Sequence, residues 1–332
     1  MTTETVRYRT FDPLKEEPTP IFRLFELVYG DSAAIRNRWE WEFLQNPRSR
    51  EIRMLTAESD GELVAMTVRM PFVLRTDRGD EPAYFATNSM TAPHWRGKGV
   101  IRRLYDMAAE DGALHFSKGT APAMYRQLLG MGYREIVPNT YMTCLLSPLR
   151  WVAAKAGCSW RQSEPRQPAV FADFADFAPV EHFEAPFNAP ACFGTLPGPV
   201  RDVSYLAWRY HQIPHRRYQL FCRLLDGRMI SFLVLRIEGM TARIVDISWD
   251  GSRQDEPART LRFAKCFART AGAVKLILWG TSEKLRSAAS RAMFLKRAET
   301  PHFSYRPGTS GAGTPTWPGI HFVHGDGDVE YL

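Results

Sequence analysis

The feature that most limits how this 332-residue chain can fold is an internal repeat. Residues 38–55, RWEWEFLQNPRSREIRML, return in pattern as residues 204–221, SYLAWRYHQIPHRRYQLF. Trp41, Phe43 and Pro47 fall on Trp208, Tyr210 and Pro214 at one constant offset. Each copy then runs into an Asp-Gly pair, Asp60-Gly61 or Asp226-Gly227, and on into an apolar run, LVAMTVRMPF or MISFLVLRIE. Asp-Gly between apolar runs predicts a β-hairpin, because both residues tolerate the positive φ angles of its tight turn. Further along, each copy has another strand-like segment (YFATNSMT; ARIVDISW), an amphipathic helix and a Gly-Ala boundary, Gly112-Ala113 or Gly272-Ala273. Ile101, Leu104, Tyr105 and Ala108 in one helix, and Leu261, Ala264, Ala268 and Ala271 in the other, recur at helical spacing and mark one buried face each. A chain that repeats itself at this scale is read as one duplicated α+β unit, each copy a mixed, mostly antiparallel sheet flanked by helices.

Between the copies the composition changes. Residues 163–199 are rich in proline and phenylalanine and show neither helical nor strand periodicity, which predicts a connection that packs its aromatics on the domain surfaces. The expected division is residues 1–150, a connection over 151–200, and residues 201–332. Cys144, Cys158, Cys192, Cys222 and Cys266 are scattered, odd in number and never in a C-x-x-C pair, so neither a disulfide framework nor a zinc site is expected. His211 and His215 have i, i+4 spacing, but Pro214 breaks the helix that would align them on a metal. The closing HGDGDVEYL lacks the length and final Glu of a calcium loop and is read as a turn after a strand at 320–323. No apolar run is long enough to span a membrane, and the first residues lack a signal-peptide core, so a cytoplasmic location is expected.

The net charge of +7 is unevenly shared. Residues 1–150 carry 20 Lys+Arg against 19 Asp+Glu, whereas 201–332 carry 20 against 12. Arginine forks suit phosphates and carboxylates, so the second half suggests an anionic ligand. The basic residues form no dense run, and nucleic acid is therefore not the expected partner.

The chemistry concentrates in YFATNSMTAPHWRGKGVIRRLYDMAAEDG, where a strand, a short basic loop and a helix follow directly. Backbone N–H groups of residues 97–101 would lack helical partners and face outward, and the helix start carries partial positive charge that favours a phosphate. Gly97 and Gly99 remove side chains from the approach, and Arg96, Lys98 and Arg102 add full charges.

These residues resemble the Gcn5-related N-acetyltransferase (GNAT) superfamily, whose acyl-CoA loop has the form R/Q-x-x-G-x-G/A. Thr91-x-Pro93-x-x-Arg96-Gly97-Lys98-Gly99-Val100 is similar to that family's strand-to-helix junction, and AMYRQLLGMGYREI to its next helix, ending here in Met131-Gly132-Tyr133. The resemblance covers about residues 20–147, with a degenerate echo over about 203–305. It implies two tandem GNAT-like domains, and acetyl-CoA as co-substrate with no metal. The diphosphate would lie on Arg96, Gly97, Lys98, Gly99, Val100 and Ile101, with Arg102 adding charge. The pantetheine would pair with Met90, Thr91 and Ala92, and the acyl carbonyl would accept a backbone N–H near Met90. A primary amine bound opposite, on a small molecule such as an amino sugar or an anionic compound, would attack the thioester directly. Paired units with a W-x-[FY]-x-x-x-P segment in each copy resemble acetyltransferases of bacterial polysaccharide and amino-sugar pathways.

Departures from the family pattern bear on catalysis. The last loop position is Ile101; the frequent helix-start Asn falls on Ala121; the tyrosine often used as general acid falls on Leu128. Tyr125, one turn earlier, is the candidate that could substitute. Glu40 and Glu42, beside Trp39 and Trp41, are base candidates or members of a solvated helix face. The tryptophans are read as core. The second copy has GSRQDEP where the loop should be, and Asp255 and Glu256 at that helix start would repel a diphosphate. That copy is expected to wall the acceptor pocket, with Asp246 a possible amine-binding carboxylate. Two other functions fit parts of the pattern: an aminoacyltransferase using aminoacyl-tRNA, and a non-catalytic acyl-CoA-binding or regulatory module.

Overall fold

The computed structural model describes residues 5–156, 172–183, 197–298, 301–308 and 319–327. In chain order the first half gives β1 (Arg7–Phe11), α1 (Thr19–Tyr29), α2 (Ala33–Trp39), β2 (Arg53–Ser59), β3 (Glu62–Thr76), β4 (Gly79–Thr91), α3 (Val100–Ala108), β5 (Leu114–Lys118), α4 (Pro122–Gly130), β6 (Arg134–Glu135), β7 (Thr140–Leu145) and α5 (Pro148–Lys155). The second half gives β8 (Phe177–Pro179), β9 (Gly198–Pro199), α6 (Val203–Leu206), β10 (Gln219–Leu225), β11 (Arg228–Glu238), β12 (Thr241–Trp249), α7 (Glu256–Thr270), β13 (Lys275–Gly280), α8 (Glu283–Arg291), β14 (Leu295–Lys296) and β15 (Phe303–Arg306).

The duplicated α+β unit is visible element by element. Both Asp-Gly pairs turn hairpins with positive φ at both residues: 52° and 80° at Asp60-Gly61, 51° and 74° at Asp226-Gly227. Each copy's matched Trp lies in a π-helical turn, Glu40–Leu44 or Ala207–His211, that ends ahead of Pro47 or Pro214. In each sheet one adjacent pair is parallel, β4 with β5 and β12 with β13, and the other pairings are antiparallel. The central strand β3 is buried on both faces, which is why it reads as a continuous apolar run and does not alternate. Met66, Val68 and Met70 pack with Ile21, Phe22 and Phe25 of α1, while Ala65 joins Leu55 of β2 and Leu104 of α3 on the opposite face.

The sheets exchange strands. β7 leaves the first unit and pairs along its length with β13, from Thr140–Gly280 to Leu145–Lys275. In return β15 enters the first sheet and sits between β5 and β6. The units expected at residues 1–150 and 201–332 therefore each lend a strand to the other. The connection does more than cover surfaces: β8 pairs with β10 and β9 with β3, and the Phe177 ring stacks on Phe263 at 4.2 Å. In place of the strand expected at 320–323, the last described segment makes a single bridge, Val323 to Gly280. It is also clamped by buried Lys118, whose Nζ donates to the carbonyls of Val323, His324 and Asp326 at 3.1, 2.8 and 2.6 Å. No helix among the described residues is long and apolar enough to cross a membrane.

Candidate active site

The first sheet opens at one place. β4 and β5 pair over Ala83–Leu114, Tyr84–His115 and Phe85–Phe116, but β4 runs on to Thr91. Just past that divergence β4 bulges: Val68 faces Thr87 and Met66 faces Met90, so Asn88 and Ser89 stand together against Thr67. Asn88 takes φ 46°, a left-handed conformation that asparagine tolerates better than most residues. A buried polar cluster holds it there. Asn88 Nδ2 donates to Glu42 Oε1 at 2.8 Å, and Arg38 donates to Glu42 Oε2 at 2.7 Å and to Asn88 Oδ1 at 2.9 Å. Glu42 is wholly buried, and that burial raises its pKa against the opposing pull of Arg38 and Asn88.

Beside this bulge lies a cleft of about 710 Å³, walled by the end of α1, the end of β4, the loop after it, the start of α3 and one side of α4. The loop is shaped by Gly97 at φ 79° and Gly99 at φ 78°, both in the left-handed region, and a Cβ at either would meet open space. The ladder into α3 begins with Arg103 N–H on the Gly99 carbonyl at 3.1 Å, and no side chain caps the helix start. The amides of Val100, Ile101 and Arg102 therefore emerge at the end of the helix that borders the cleft. Arg96 and Arg102 line it, and no carboxylate does among the described residues. Uncapped amides, two arginines and no acid among the described lining residues suit an anion.

Eight of the ten residues expected to hold a cofactor, Met90, Thr91, Arg96, Gly97, Gly99, Val100, Ile101 and Arg102, line the cleft. The other two do not. The Ala92 amide is engaged with the Val64 carbonyl at 2.8 Å, and Lys98 Nζ stands 4.3 Å from the Trp95 ring centre. Ser89, Met124 and Gln127 also line it and were not singled out from the sequence, and Met131, named there only as part of the helix's end, lines it too; Met124, Gln127 and Met131 recur at helical spacing along α4 and its C-terminal end, which is the signal that was available. Tyr125 is absent from the lining. Its ring stacks on His302 at 4.0 Å, and burial together with a hydrogen bond to Glu135 pushes its pKa up to about 12. Leu128 is fully buried beneath α4. Glu40 is exposed and accepts from Gln45 at 2.9 Å, whereas Glu42, far from a solvated face, is the buried anchor of the bulge.

A second cavity, about 260 Å³, lies between the units and reaches Phe85 and Thr87 of β4. Apolar walls come from Met70, Phe72 and Trp208, and charge comes from Glu51, Asp202, Asp326 and Arg48. Asp246 is not available to it: it is buried and accepts from Arg201 at 2.7 Å and Tyr210 at 2.8 Å. Three arginines of the second half are likewise paired within the fold, Arg201 on Asp246 and Asp326, Arg223 and Arg259 on Asp176. At the start of α7, where a second loop would lie, Glu256 is buried and bound by Arg223 and Ser231. His211 packs against Phe183 at 4.4 Å, and burial lowers its pKa. No group of His, Cys, Asp and Glu suited to a metal occurs among the described residues.

Comparison with known proteins agrees with this fold. Residues 10–133 match the family model described as an acetyltransferase (GNAT) domain. Among solved structures, a probable N-acyltransferase of unknown function from Enterococcus faecalis V583 superposes with TM-score 0.64 at 15% identity, covering 91% of this chain and 73% of that one. A GCN5-related N-acetyltransferase from Kribbella flavida gives TM-score 0.60 at 14% identity, covering 92% and 71%. N-myristoyltransferase of Saccharomyces cerevisiae, with bound myristoyl-CoA, gives 0.56 at 10% identity, covering 96% and 84%. At such identities the likeness establishes the fold: α+β, two tandem GNAT-like domains. No curated protein matches the chain in sequence.

Proposed function

From a GNAT domain at residues 10–133, we propose an N-acetyltransferase that moves the acetyl group of acetyl-CoA to a primary amine by direct attack. The observation that carries this reading is the uncapped start of α3, opening with Arg96 and Arg102 onto a cleft that no carboxylate lines among the described residues. Arg96, Arg102 and the loop amides would hold the diphosphate, and the pantetheine would follow the open edge of β4 toward Met90 and Ser89. The amine would arrive from the cavity between the units, where Glu51 and Asp202 suit an ammonium group. On this reading residues 1–150 carry the CoA loop, 151–200 connect, and the degenerate unit 201–332 walls the acceptor site and binds no CoA.

Calorimetric titration with acetyl-CoA tests it. Arg96→Glu is expected to weaken binding at least about tenfold with an unchanged unfolding midpoint, since an arginine–phosphate contact is among the stronger charge-assisted hydrogen bonds. Equal affinity in the variant removes the loop from the site. Retention of tRNA without CoA binding would favour an aminoacyltransferase. Absence of thiol release across a broad amine panel would favour a binding module.

A further inference from the structure

Arg69, on β3, is wholly buried and has no carboxylate partner among the described residues. Its Nη1 donates to Thr67 Oγ1 at 2.8 Å and weakly to the Val68 carbonyl at 3.4 Å, while Nε and Nη2 meet no acceptor. The guanidinium carbon lies 4.1 Å from the centre of the Tyr105 ring. A buried charge without a counter-charge is costly, so its neighbours matter. A guanidinium only donates. Thr67 must therefore accept from Arg69, which leaves its own hydrogen for Ser89 Oγ, 2.7 Å away. Tyr105 Oη stands 2.9 Å from the same Ser89 oxygen. When Tyr105 also donates, the Ser89 hydrogen has one direction left, into the cleft that Ser89 lines beside Met90 and Thr91.

We propose that Arg69, Thr67, Tyr105 and Ser89 form a one-way chain of hydrogen bonds that stabilises the CoA thiolate as it departs. This rests on the acetyl-CoA reading above and assigns the leaving-group role that neither Leu128 nor Tyr125 fills. In the step, the amine nitrogen bonds to the thioester carbonyl carbon, the C–S bond breaks and its electron pair stays on sulfur. Ser89 Oγ–H donates a hydrogen bond to that sulfur and keeps its proton. The proton shed by the amine goes to water, and the sulfur is protonated from solvent. Arg69 reaches the sulfur only through the two hydroxyls, so it positions and polarises. The titratable groups facing the chain are Tyr133, edge-on to Tyr105 at 6.0 Å, and His115 on β5. Burial holds both neutral, raising the Tyr133 pKa and lowering that of His115, which Asp111 opposes. Asp106 and Arg306, farther out, pair with each other at 3.3 Å.

The test is an ultraviolet titration of the thiol of CoA bound to the full chain. In the wild type the bound thiol is expected to ionise about one pH unit below that of free CoA, a tenfold gain in thiolate. Ser89→Ala removes the last donor, and the near-isosteric Thr67→Val cuts Arg69 off from it. Both are expected to return the titration to that of free CoA. Affinity for adenosine 3′,5′-bisphosphate, which reaches only the loop, should not change. An identical titration in wild type and both variants overturns the chain and leaves the loop standing. A wild type that binds neither CoA nor the bisphosphate overturns the acetyl-CoA reading itself.

Discussion

Trp41 and Trp208 stack nearly parallel, ring centres 4.8 Å apart and planes 11° from one another, and each indole N–H donates to the other's backbone carbonyl, at 2.8 and 2.7 Å. The two residues are 167 positions apart and are the matched tryptophans of the repeat. Their contact is self-complementary, as at a two-fold axis between identical subunits, yet it joins two halves of one chain. It also forms part of the wall between the units, because Trp208 lines the cavity there.

Truncating either indole should therefore cost stability in a coupled way. Trp41→Ala and Trp208→Ala are each expected to destabilise the chain by about 3–5 kcal/mol, the usual cost of deleting a buried large aromatic. The double variant should fall short of the sum by roughly 1 kcal/mol or more, since each single change also strands its partner's N–H. Denaturant unfolding of the four proteins measures this. Strict additivity would mean the pair does not join the units energetically.

Glu42→Leu is expected to cost about 3–5 kcal/mol, because it leaves the buried Arg38 without its counter-charge. The Asn88 bulge should loosen with it, so acetyl-CoA affinity should fall while the loop is untouched. Thermal unfolding and calorimetry together check this. A stable variant with full affinity would show that the bulge holds itself.

Acid should weaken the fold through His321. Burial, with the charge of Arg201 adding to it, lowers this imidazole from 6.5 to about 4. The unfolded chain thus takes up a proton that the folded one refuses. The neutral ring's contribution is complete above pH 6.5 and is lost as pH falls toward 4, about 3 kcal/mol in all. His321→Gln, which keeps a donor for the Ile247 carbonyl that His321 Nε2 contacts at 2.6 Å, should flatten that limb of the stability–pH curve. An unchanged acid limb would locate the sensitivity elsewhere.

Residues 1–150 expressed alone are expected to be insoluble or unfolded by size-exclusion chromatography and circular dichroism. Without β15 the edge of β5 is unpaired, and β7 has lost the sheet it belongs to. A soluble, folded fragment would show that the exchange is dispensable.

How much of this was legible in the sequence depended on how local each signal was. The Asp-Gly turns, the Arg96–Gly99 loop and the matched tryptophans are written within a few residues, and the structure places each as a turn, a cleft wall and a core contact. The exchange was not legible. TYMTCL and FSYR read as strands in whichever sheet they join, and periodicity carries no address. Glu42 looked like a helix-face acid because its partner Asn88 lies 46 residues away. Ser89 was passed over for a similar reason: a lone serine at a strand end means little until Thr67 and Tyr105 are seen beside it. The arginines of the second half were read as suiting an anionic ligand, although Arg201, Arg223 and Arg259 are spent on carboxylates that only the fold brings near.

The interleaved strands also set a timetable for synthesis. Leu114–Lys118 and Arg134–Glu135 wait for a neighbour that the ribosome makes only at Phe303–Arg306. The first sheet cannot close until residues 303–306 have been made, so the nascent protein must keep that gap from pairing with anything else in the meantime.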